Sequence, residues 1–252
     1  MKIRIPAVLA SLAIGGTLIL SSVAIVTATT PPGGPAGKGV CATAAAAARS
    51  GKTVEALRAF GNCEIDRRFT TLNTLAAKIS SSKALTPSDA AALSAEVSST
   101  RTGLTSLKAT IDAETGIPAL RADIVKIAAD YRVYLLVAPQ VQLTNGADSV
   151  LATQTVFAKI DTNLTARIAA AKAAGKDTTA AQSDLNAMNA AVTKAAGLAA
   201  PIPGRLLPLT PAQWNSGVAG PIVSQARTDL VSARALLRTA EADAKACRAA
   251  LK

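Results

Sequence analysis

Residues 130–143, DYRVYLLVAPQVQL, are written in a different alphabet from the rest of the chain, which is mostly Ala, Thr, Ser and Lys. Both tyrosines of the sequence, Tyr131 and Tyr134, fall here among bulky aliphatics and ahead of Pro139. They prolong a series that starts at Leu120 and passes through Ile124 and Ile127 to Ala138, in alternating steps of four and three. That 3.5-residue period is the stripe of a helix lying along another helix. Val133, Leu135, Leu136 and Val137 widen the stripe, which predicts a helix covered on more than one side. Pro139 has no N–H to donate, so it predicts a kink in a helix otherwise running from 118 towards 174. Two roles fit the segment. It is either a buried central helix or an apolar groove opened by the kink, with Tyr131, Tyr134 and Pro139 at its rim.

The same period recurs on both sides. Ile65, Phe69, Leu72, Ala76 and Ile79 form one series, and Leu93, Val97, Thr100, Leu104, Leu107 and Ile111 the next. Beyond the proline, Leu143, Val150, Phe157 and Leu164 repeat every seven residues. The last series is Ala226, Leu230, Ala233, Leu237, Ala240, Ala244, Cys247 and Leu251. Strand alternation is absent. Helix starts are punctuated by Thr86-Pro87 with Asp89 two residues on, by Pro118, and by Thr210-Pro211 with Gln213 two residues on. Each places a capping hydroxyl or a proline where the first turn needs no donor. Gly175 marks a stop, and the three prolines of 199–210 predict a linker. The fold class is all-α: an elongated antiparallel bundle of about five long helices over 40–252. Connections near 83–86 and 115–118 are short enough to demand antiparallel neighbours.

The first 39 residues have another character. Lys2 and Arg4 precede an uncharged apolar run, Ala7 to Val26, and a Pro/Gly-rich spacer occupies 29–39. This order predicts a signal peptide over 1–28, with small residues suited to cleavage after Ala28 or Ala24. The run is also long enough to remain as a membrane anchor. No cysteine follows it directly, which disfavours a lipid-anchored form. Export to a secreted or extracytoplasmic location is the expectation. Loss of 1–28 leaves 25 basic against 16 acidic residues, a net charge of +9. Such a chain is drawn to anionic envelope polymers, membrane surfaces or an acidic protein partner.

Cys41, Cys63 and Cys247 are an odd set for an oxidising compartment, so one pair and one thiol are expected. Cys41 and Cys63 are equidistant from Lys52, and a hairpin there would bring them together. Pairing of either with Cys247 is the alternative. The chain has no histidine, and its carboxylates do not converge. Asp112/Glu114 and Glu241/Asp243 stand two apart, on different sides of a helix. There is no phosphate loop, nucleophile elbow or calcium loop. The residues therefore point to no catalytic set, no metal site and no cofactor. One polar pattern stands out. Arg227, Arg234, Arg238, Lys245, Arg248 and Lys252 fall within an arc of about 80° on the last helix. They either lay their stems over the seam or form a strip for an anionic partner. Nucleic acid is disfavoured, because no aromatic residues are interleaved for stacking.

Three runs together, FGNCEIDRRFTTLNTL (60–75), LTPSD (85–89) and DYRVYLLVAPQ (130–140), resemble secreted, alanine-rich helical proteins of high-GC bacteria. The resemblance covers most of the mature chain and implies no site. Leu209-Thr210-Pro211-Ala212-Gln213 is similar to the LTxxQ motif of Spy/CpxP-type envelope chaperones. Leu85 to Asp89 departs from that motif at its last position. The second likeness implies a module that binds lipid or unfolded protein through apolar interhelical faces.

Overall fold

The computed structural model describes residues 41–51 and 53–252, and no strand occurs among them. The signal segment expected at 1–28 and the spacer at 29–39 lie outside the described residues. The described helices are α1 (Ala42–Gly51), α2 (Val54–Ser81), α3 (Pro87–Ala113) and α4 (Ile117–Ala129). A π-helical turn (Val133–Val137) leads into α5 (Ala138–Ala173), followed by α6 (Thr179–Ala199) and the short α7 (Ile202–Leu206) and α8 (Pro211–Asn215). The chain closes with α9 (Ala219–Ala250). The five long ones, α2, α3, α5, α6 and α9, have 28, 27, 36, 21 and 32 residues. The longest spans about 54 Å.

The caps work as their residues dictate. Thr86 Oγ1 accepts from Asp89 N, and Thr210 and Gln213 form a reciprocal capping box around Pro211. Gly175 takes φ 77° just after α5 ends, a conformation without penalty only for glycine.

The core falls into three clusters. The first packs α2, α3 and α4 together through Ile65, Leu72, Leu93, Leu104, Leu120 and Ile127. The second joins the start of α5 to the end of α6, α7 and the start of α9. The third runs along the rest of α5, α6 and α9. Late α6 (Ala195, Ala199) shares a cluster with early α9 (Ala219, Val223), so these two run antiparallel. Early α5 (Leu143, Ala147) shares it too, and α5 therefore runs parallel to α9. Successive long helices α5, α6 and α9 are therefore antiparallel neighbours as expected, and α5 and α9 run parallel as the first and third of an up-down-up set, with positions 200 to 218 turning the chain at the end where α6 stops and α9 starts. The stripe of α3 is buried at all six expected positions. In α2 the register differs by one: Leu75 is buried and Ala76 exposed, since the larger side chain gains more from burial.

Residues 130–143 join these clusters. Val133, Val137, Ala138 and Val141 belong to the first, while Leu136 and Leu143 belong to the second. The expected kink at Pro139 is not where the helix changes. The break comes earlier, at Arg132, a non-glycine residue at φ 40°. The π-turn then leads to Pro139 in the first turn of α5. The proline can donate nothing and its ring would crowd the carbonyl four residues back, so the backbone widens to an i→i+5 bond, from Ala138 N to Val133 O. Asn215 braces the break from α8: it accepts from Arg132 Nε at 2.7 Å and donates to Ala129 O at 2.9 Å.

The segment 199–210 is more than a linker. Ile202, Pro203, Leu206 and Leu209 are buried in the second cluster region, and α7 forms there. Gln140, itself buried, donates through Nε2 to Leu206 O at 2.9 Å and Leu209 O at 3.1 Å. It thereby gives the Leu209 carbonyl a donor beyond the end of α7 and adds a second donor to the Leu206 carbonyl, which also accepts from Leu209 N at 3.1 Å.

α2 and α3 are tied to α5 by polar contacts at their connection. Ser82 Oγ donates to Asn145 Oδ1, and Thr86 N donates to Asp148 Oδ2 at 3.0 Å. Burial first, and then the nearby Asp89, hold the Asp148 carboxyl above the usual range, against the bond from Thr86.

Two helical glycines are expected to respond oppositely to a methyl group. On Gly146 it would lie 2.6 Å from Leu230 Cδ2, within a well-packed seam; on Gly197 it would meet nothing within 4 Å. Gly146→Ala should destabilise the fold by about 1–3 kcal/mol, and Gly197→Ala should stabilise it by about 0.5–1 kcal/mol. Urea unfolding of the two variants checks both signs.

Candidate functional site

The strip expected on the last helix lies along α9. Arg227, Arg238, Lys245 and Lys252 are exposed, and Arg234 and Arg248 are half-buried. From Arg227 to Lys252 it extends about 38 Å. Lys245 is paired with Glu241 at 2.8 Å, and both side chains are largely in water. The backbone carbonyl of Lys252 accepts from Lys176 Nζ at 3.3 Å. Asp229 of the same helix is turned inward and held by Arg205 at 2.6 Å and Gln225 at 2.7 Å. Arg205 holds its carboxyl below the usual carboxylate range.

Arg234 is placed differently from the others. Its guanidinium crosses onto α5 at the notch left by Gly146, with Nη2 2.8 Å from where a methyl on that glycine would stand. The Ser82–Asn145 bond puts the end of α2, and so Lys78, at the same junction. Burial lowers the pKa of Lys78, and the Arg234 charge lowers it further; burial lowers that of Arg234 too. Neither cation makes a salt bridge or side-chain hydrogen bond to another described residue. Two half-buried positive charges thus lie near enough to repel, and neither has a carboxylate partner among the described residues. Lys78 was not legible as part of the strip, because it lies more than 150 positions away. The one cue in the sequence was a glycine within the α5 seam.

The tyrosines are occupied on their faces. A methyl on Gly103 would stand 2.5 Å from Tyr131 Cε1, so α3 approaches this ring as closely as glycine permits. Burial raises the pKa of the Tyr131 hydroxyl. The guanidinium carbons of Arg67 and Arg68 each lie 5.2 Å from the centre of the Tyr134 ring. Glu64 Oε2 accepts from both arginines at 2.7 Å. This arrangement holds two cations over one ring face system with a shared counter-charge. Pro139 is buried. Of the three residues expected at a groove rim, Pro139 is thus buried, Tyr131 is packed against α3 and Tyr134 is covered by Arg67 and Arg68. Clefts of about 640 and 600 Å3 lie elsewhere, at the α5–α6 turn and between α1, α2 and α4.

Cys41 and Cys63 form a disulfide, and Cys247 is a buried thiol on the α9 seam whose pKa is raised by that burial. No group of three or more Cys, Asp or Glu that could hold a metal ion occurs among the described residues, and no described helix is long and apolar enough to cross a membrane. In the LTxxQ-like stretch, Thr210 and Gln213 are engaged in capping α8, and Leu209 is buried. Comparison with protein families, with curated proteins and with solved structures finds no match.

The Tyr134 hydroxyl is buried without a hydrogen-bond partner, so its removal should cost nothing. Tyr134→Phe is expected to leave stability within about 0.5 kcal/mol of the parent or to raise it. Tyr134→Leu, which removes the ring beneath Arg67 and Arg68, should cost about 1–3 kcal/mol. Thermal melts of the pair distinguish a ring-centred clamp from a hydroxyl-centred contact.

Proposed function

We propose that this chain is an exported, non-enzymatic helical-bundle protein of the cell envelope, and that the basic face of α9 is its contact with an anionic polymer or membrane surface. The observation that carries the reading is the unneutralised pair Arg234 and Lys78. Burying two like charges without a counter-ion costs stability. An anionic partner would recover that cost on binding, which distinguishes this point from exposed lysines that water already satisfies. The length of the strip suits a repeating polyanion or a headgroup layer better than a single small ion. Export is supported by the charged and apolar order of the first 28 residues and by the Cys41–Cys63 disulfide, a bond that persists in oxidising compartments. A module that binds lipid or unfolded protein through apolar faces is the second reading. What favours it is the apolar cleft between α1, α2 and α4.

Alkylation tests the compartment. Protein isolated from its native host, denatured without reductant and treated with iodoacetamide should carry one adduct, on Cys247, and three after reduction. Three adducts without reductant would mean a reducing environment and defeat the export reading.

The strip is tested by charge removal at constant helix propensity. Replacing Arg227, Arg234 and Arg238 by Gln should weaken binding to phosphatidylglycerol-containing vesicles, or to purified anionic wall polymer, by about tenfold or more at low salt. Replacing Lys83, Lys159 and Lys194, which lie off the strip, removes the same charge and should do clearly less. Equal losses would mean that net charge alone governs binding.

A further inference from the structure

The cleft of about 600 Å3 between α1, α2 and α4 is within the size range of small-molecule sites. Its cause is legible in the residues. α2 and α4 offer Leu57, Phe60, Ile124 and Val125 towards α1, but α1 answers only with Ala45 and Ala48. α1 is written ATAAAAARSG and has no apolar side chain larger than that of alanine to fill the space. Where α2 and α4 meet without α1, the fit is close: a methyl on Gly61 would stand 3.2 Å from Ile124 Cγ1. Val125, at 63% exposure, stands unfilled among the lining residues.

Two charged residues line this apolar space, Arg49 from α1 and Arg121 from α4. Both are exposed, and neither has a salt bridge or hydrogen bond to another described residue. No acid lines the cleft: of those on α2 and α4, Glu64 pairs with Arg67 and Arg68, Asp66 with Lys108 and Asp123 with Lys126, and Glu55 is exposed. Arg58, the other arginine of this region, is turned to the carbonyls of Ile111 and Glu114. An apolar cleft with two unpaired guanidinium groups in its lining matches a molecule with a hydrocarbon tail and a carboxylate head, which an arginine can hold by paired hydrogen bonds.

We propose that the α1–α2–α4 cleft binds one long-chain carboxylate, with its acyl chain against Leu57, Phe60, Ile124 and the alanines of α1, and its head between Arg49 and Arg121. The chain's own N-terminal residues do not meet this description. Residues 1–40 contain no Asp or Glu, and their only charges are Lys2, Arg4 and Lys38. They cannot supply the anion. A protein partner would need an interface of about 1,000 Å2 or more, and the apolar surface here is that of a single narrow cleft. The Cys41–Cys63 disulfide holds the start of α1 against α2 and so keeps this wall of the cleft in place. The site shares no residue with the α9 strip and stands independently of it.

The test uses the purified, oxidised protein and cis-parinaric acid, a fluorescent long-chain carboxylate, below its critical micelle concentration. Saturable binding at one site is expected, displaced by palmitate and about tenfold or more less effectively by methyl palmitate, which lacks the charge. Arg49→Gln with Arg121→Gln should weaken palmitate by about tenfold or more while leaving methyl palmitate unchanged. Ala48→Leu should fill the cleft and abolish binding; circular dichroism and gel filtration check that it folds. Should it not fold, Val125→Glu places a repelling charge at an exposed position and should weaken binding in its stead. The Arg227, Arg234, Arg238 variant should bind palmitate normally. No saturable binding by the parent protein would overturn the proposal. So would binding that none of the cleft variants alters, or equal affinity for palmitate and its methyl ester. Association with anionic vesicles but not with the monomeric fatty acid would also refute it and leave the α9 strip as the contact.

Discussion

One stretch of backbone has to serve two cores at once. Between Val133 and Val150 the chain sends Val133, Val137 and Val141 to the α2–α3–α4 cluster and Leu136, Leu143 and Val150 to the α6–α7–α9 cluster. A helix with one apolar stripe cannot do this. The segment is accordingly apolar nearly all round, and the polar groups it does carry inside must be paired by the surroundings. Gln140 finds the carbonyls of Leu206 and Leu209, and Asp148 finds the amide of Thr86. These pairings fix where α7 and the start of α3 must sit.

The same demand explains the irregular backbone before it. A straight helix from 117 to 173 would bury one stripe only. The left-handed Arg132 and the π-turn reorient the side chains that follow, so that the stripe begun at Leu120 ends and a wider apolar surface begins. Pro139 is compatible with this because it falls in a first turn. Asn215 then closes the break with two hydrogen bonds from a helix of five residues. The strained residue is held by a partner more than eighty positions away.

Periodicity in the sequence carried most of the fold. The α3 stripe, the α9 seam, the caps at Thr86 and Thr210 and the Cys41–Cys63 pair are local patterns, and local patterns survive translation into structure. What was illegible depends on distant partners. The break at Arg132 rather than Pro139 reflects Asn215 and the second core. The burial of 199–210 reflects Gln140, which no spacing within that proline-rich stretch could reveal. The choice of Leu75 over Ala76 is a one-residue competition that only a packed neighbour decides. The candidate sites were harder still. The α9 strip is visible as spacing on a helix, but its closest approach to Lys78 runs through a glycine on a third helix. The Arg49–Arg121 cleft has no pattern in the sequence at all, since it is made by what α1 lacks.

The order of the cysteines along the chain bears on how the molecule reaches this state. Cys41 and Cys63 are 22 positions apart, and every buried residue of the first cluster lies before position 142. A chain that emerges N-terminus first can therefore close its disulfide and collapse its first core while Cys247 is still to come. When the third cysteine arrives its correct partner is already taken, and the α9 seam buries it away from exchange with either sulfur. Consecutive pairing with a late, sheltered thiol leaves little opportunity for scrambling. The odd cysteine is thus tolerated by timing as well as by packing.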